Sequence, residues 1–71
     1  MNIKIEHSNG NETIINLSEI THVFCTTAHS MELRSGNDVI GVINENTQVI
    51  CENGVLPFDD IKDFLMKHMG E

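Results

Sequence analysis

The chain has no tryptophan, no tyrosine, one proline and two cysteines in 71 residues, and only four lysines and arginines against eleven acids. Two cysteines cannot build the disulfide lattice of a secreted mini-protein or supply a zinc quartet. With three phenylalanines as the only other aromatic residues, there is little material for a deep apolar pocket. The formal net charge of -7 at pH 7 repels phosphate backbones, because nucleic-acid affinity comes largely from clustered lysine and arginine releasing counterions. Direct nucleic-acid binding is therefore not expected. No apolar stretch approaches the ~18 residues of a membrane-spanning helix. The alternating segment Met1-Asn2-Ile3-Lys4-Ile5-Glu6-His7 lacks a signal-peptide core. The expectation is a cytoplasmic protein with reduced thiols and no membrane partner.

Residues 1–71 are read as one domain, since single cores are usually built from about 50 to 200 residues. A chain this short buries only about 60% of the surface its unfolded form exposes, so self-association or docking on a partner is expected to support it.

What is abundant is turn chemistry. Asn9-Gly10-Asn11, Ser35-Gly36-Asn37-Asp38, Asn44-Glu45-Asn46 and Asn53-Gly54 separate short apolar runs. Ile3, Ile5 and His7 share one face of a first strand, and Thr13, Ile15 and Leu17 one face of a second. Ser18 and Glu19 form a corner. Thr21 to Thr27 reads as a third strand, with His22 and Phe24 on one side and Val23 and Cys25 on the other. Ser30 to Arg34 places Met31 and Leu33 inward. Val39 to Ile43 is apolar in both registers, as in a central strand or an edge that pairs with another molecule. Gly41 within it predicts a bulge or a close backbone approach. Val49 to Cys51 is the last strand, ended by Asn53-Gly54.

Phe58 to Met69 is the one helix. Ile61, Phe64, Leu65, His68 and Met69 follow helical spacing, Pro57 marks the start and Gly70 the stop. Asp59, Asp60 and Asp63 sit in the first turns and Lys67 and His68 in the last, both favourable to the helix dipole. The predicted fold is α+β: one small antiparallel sheet of five or six short strands, with the C-terminal helix packed on a face.

No catalytic or cofactor motif stands among these elements. His7, His22, His29 and His68 lack the paired spacing of a metal site. Cys25 followed by His29 suggests a nucleophile and base, but no orienting group or oxyanion site accompanies them. Cys25 and Cys51 fit buried inert thiols on strands. Each of the five glycines is isolated, so no phosphate loop is present. Neither an enzyme nor a cofactor or metal protein is expected.

The run Ile14-Ile15-Asn16-Leu17-Ser18-Glu19-Ile20-Thr21-His22-Val23, the segment Met31 to Gly36 and the terminal helix Phe58 to Met69 resemble parts of small pleckstrin-homology-like domains. That resemblance implies a non-catalytic binding scaffold. No basic cluster in the hairpins supports lipid binding. In size and charge the chain is also similar to phage-encoded inhibitors of host nucleic-acid enzymes, anti-CRISPR proteins included. The expected function is non-enzymatic protein binding, with an acidic inhibitor or adaptor covering a basic surface of a larger protein. Candidate contact residues are Glu32, Glu45, Glu52, Asp59, Asp60 and Asp63. The alternative is a homo-oligomeric structural subunit, a homodimer for instance, paired through an exposed edge at Val39 to Ile43.

Overall fold

The computed structural model describes residues 1–69. In order come β1 (Asn2–Glu6), β2 (Glu12–Asn16), a 3-10 turn (Leu17–Glu19), β3 (His22–Thr27), β4 (Ser30–Ser35), β5 (Asp38–Asn44), β6 (Gln48–Cys51), β7 (Gly54–Leu56) and α1 (Phe58–His68). All strand pairs are antiparallel, in two sheets ordered β2-β1-β6-β7 and β3-β4-β5.

The first hairpin closes through His7 N–H donating to Asn11 O at 2.8 Å and Gly10 N–H to His7 O at 3.0 Å. Its register sets Ile3 opposite Ile15 and Ile5 opposite Thr13, so the isoleucines share the inner face. At the end of β2 the Asn16 side-chain oxygen accepts from Ser18 N–H at 2.9 Å and from the Ser18 hydroxyl at 2.8 Å. This tightens the corner that moves the chain from one sheet to the other. Leu17 and Ile20 on either side of it are buried. Thr21 N–H then donates to Arg34 O at 2.8 Å, tying the start of β3 to the end of β4.

The core lies between the sheets. Ile3, Ile5, Ile15, Leu17 and Val49 meet Ile20, Met31, Leu33 and Ile43, and Ile61 and Leu65 of α1 complete the cluster. No polar or charged residue of the described chain is buried. α1 packs against β3 and β6, one strand from each sheet. Pro57 precedes it without a side-chain cap, and Met69 N–H closes its end on Leu65 O at 2.8 Å. The predicted stop at Gly70 lies outside the described residues.

The single-sheet expectation is corrected: the described residues form seven strands, not five or six, in two sheets. α1 fully buries only Ile61 and Leu65, too little apolar surface to cover a six-stranded face, so the sheets cover each other. The extra strand follows from Asn53-Gly54, which continues the chain where termination was predicted. Gly54 supplies the positive φ of 110° that turns β6 back into β7, and Cys51 pairs with Gly54, Ile50 with Val55 and Val49 with Leu56.

Candidate functional site

The six acidic candidates do not form one cluster. Glu32 lies on the outer face of β4, where its Oε1 accepts from Arg34 Nη2 at 2.8 Å. Glu45 is exposed in the turn before β6 and Glu52 in the turn after it, so β6 separates them. The Glu45 turn is pinned: Asn44 Oδ1 accepts from Asn46 N–H at 2.8 Å, and Asn44 N–H donates to Thr47 Oγ1 at 3.0 Å. Leu56 pairs with Val49, which brings the start of α1 back toward the same end of β6 as Glu45.

Asp59, Asp60 and Asp63 do come together. The helix advances about 100° per residue, which puts all three within about 100° of arc, opposite Ile61 and Leu65. All three are exposed, and neither their carboxylates nor those of Glu45 and Glu52 make a hydrogen bond or ion pair with another described residue. By contrast, Lys4 pairs with Glu12 at 3.0 Å. The hydrogen bond and charge of Glu12, helped by Glu6, hold the Lys4 ammonium above its ordinary pKa.

A second feature appears only in three dimensions. On the outer face of β3-β4-β5, the Arg34 guanidinium lies 5.0 Å from the centre of the Phe24 ring, and the His22 ring stacks alongside at 5.9 Å. Arg34 Nε is shielded from solvent without an acceptor, so packing on Phe24 and the Glu32 pair hold the guanidinium. Phe24 is nevertheless 47% exposed, and Val39 and Val42 across the sheet are 48% and 38% exposed. The sequence shows His22 and Phe24 on one strand face. It does not show Arg34 beside them, because that depends on the β3-β4 register pairing His22 with Arg34.

β5 is an edge strand, but it lies beside β2, and its register skips Ile40 between the pairs Leu33–Gly41 and Arg34–Val39. Bulges of this kind discourage addition of a further strand. Cys25 is exposed, contrary to the buried thiol expected, because β3 loses register with β4 just past it. Cys51 is half-buried, and the two stand in different sheets as free thiols. No hydrogen bond joins Cys25 to His29, whose N–H donates to Thr27 Oγ1 at 3.1 Å. Among the described residues, no three His, Cys, Asp or Glu side chains are grouped to hold a metal ion, and no helix is long and apolar enough to cross a membrane. An open polar depression of about 640 Å³ lies between the first hairpin and the Glu45 turn, lined by Asn9, Asn11, Asn44 and Asn46 among others. The side-chain oxygens of Asn9 and Asn44 already accept backbone N–H groups that shape those turns.

No known protein family matches the chain, and neither a curated protein nor a solved structure shows significant similarity to it.

Proposed function

We propose that this chain is a non-enzymatic protein-binding module: a small cytoplasmic inhibitor or adaptor that covers a basic surface of a larger protein, in the manner of phage-encoded inhibitors such as anti-CRISPR proteins. The observation that carries this reading is the exposed, unpaired acidic face of α1 at Asp59, Asp60 and Asp63. These charges have no partner among the described residues, while Lys4 and Arg34 are held by Glu12 and Glu32. Negative charge on a rigid scaffold accelerates encounter with a basic surface and rejects acidic ones.

The test uses the tagged protein as bait in lysate of its source organism, at low salt and at ~0.3 M salt, where the screening length shrinks to several Å. The proposal expects one large basic protein, retained at low salt and weakened at high salt. Retention of acidic proteins, or of nothing but the chain itself, would overturn it.

A further inference from the structure

We propose that the outer face of β3-β4-β5 is the anchor of this interaction, and that its occupant is an aliphatic segment flanked by lysine or arginine on the partner protein. The inference rests on the reading of an acidic module for a basic partner, and it assigns the apolar contact that charge alone cannot supply.

The face has the anatomy of an interface. Phe24 on β3 and Val39 and Val42 on β5, all substantially exposed, flank the Glu32–Arg34 pair of the middle strand β4. Aromatic and arginine side chains are enriched among the residues that dominate binding energy, and the fully buried centre of an interface is depleted of unpaired charge. Arg34 meets both conditions, since Glu32 neutralises it and it packs on Phe24. Glu32, Arg34 and Phe24 therefore form a fixed surface, with little side-chain freedom left to lose on binding.

The edge of the face selects the occupant. Arg34 is the one lysine or arginine in β3, β4 and β5, whereas Asp38 opens β5, Glu45 follows it and Glu19 precedes β3. His22 pairs with Arg34 and Ser35 with Asp38, so Glu19 and Asp38 mark one end of the sheet and Glu45 the other. Apolar side chains on both sides of a neutralised ion pair, set between acidic ends, accept aliphatic side chains flanked by cations. A second copy of the chain would bring a like set of acids against these, and each copy carries a net charge of -7. Phosphate-bearing surfaces are rejected for the same reason.

The test titrates the whole, isotope-labelled chain with a defined probe, a heptapeptide of three leucines flanked by two lysines on each side. The same peptide with glutamate in place of lysine is the control. Backbone amide shifts are expected at Phe24, Arg34, Val39 and Val42 with the basic peptide only. Phe24→Ala is expected to weaken binding at least tenfold and Val42→Ala severalfold. Ile14→Ala, on the exposed outer face of the other sheet, should leave it unchanged. The spectra of the variants report directly whether they fold. Shifts confined to α1 around Asp59, Asp60 and Asp63 would overturn the anchor while leaving the acidic-module reading in place. No shift with either peptide would overturn both.

Discussion

Gly41 lies against Ile15 across the two sheets, so closely that a Cβ on Gly41 would stand 2.6 Å from Ile15 Cδ1 and 3.2 Å from Ile5 Cδ1. Ile5 and Ile15 both belong to the buried core. The missing side chain is what lets β5 approach β2 and close the space between the sheets.

Gly41→Ala is therefore expected to destabilise the fold by about 1–3 kcal/mol through overpacking. Ile15→Val removes the very methyl that clashes, and alone it should cost about 0.5–1.5 kcal/mol. Combined, the two should cost less than their sum, because each relieves the other. Chemical denaturation of the four proteins in the cycle measures this coupling. Strict additivity would contradict the close approach.

The Asn16 corner gives a second prediction. Asn16→Ala removes the acceptor for Ser18 N–H and the Ser18 hydroxyl and should cost about 1 kcal/mol. Asn16→Asp preserves the acceptor and should recover most of the loss. Thermal denaturation of both variants checks the pair.

The Lys4–Glu12 pair predicts a pH dependence. The folded state holds the Lys4 proton more tightly than the unfolded chain, so the pair's contribution is fully present below the unfolded value of about 10.4 and is lost as pH rises through the higher folded value. Stability of the wild type should fall more steeply than that of Glu12→Gln above about pH 10. Both side chains are substantially exposed, so the difference will be small and should shrink in salt. Denaturation midpoints between pH 8 and pH 12 supply the comparison.

The thiols should differ in access. Cys25 is exposed on β3, whereas Cys51 is half-buried with its Sγ 3.4 Å from Gly54 O. A thiol reagent under native conditions should modify Cys25 first and Cys51 in a slower phase. Two equal rates would contradict the burial difference.

The sequence discloses β1, β2 and α1 because their buried positions repeat at the period of the element: Ile3 and Ile5, Ile15 and Leu17, Ile61 and Leu65. Gly41 also announces its close approach by interrupting an apolar run. β7 is hidden because Gly54-Val55-Leu56 is too short to display alternation before Pro57. The division into two sheets is hidden because it depends on β6 pairing with β1 through Ile5 and Val49, a distant contact that no local pattern encodes. The same limit applies to the interaction surface. Helical spacing already sets Asp59, Asp60 and Asp63 on one side of α1, but the Phe24–Arg34 contact exists only through the register of two strands.

The central claim is that uncompensated acids direct this chain to a basic protein surface. Its most direct test is calorimetric titration of the partner retained by the bait, against the wild type and against the variant carrying Asp59→Lys, Asp60→Lys and Asp63→Lys. The account predicts at least a tenfold loss of affinity and a flatter salt dependence for the variant, with the fold preserved because all three positions are exposed. Equal affinity and equal salt dependence for the two proteins would contradict it.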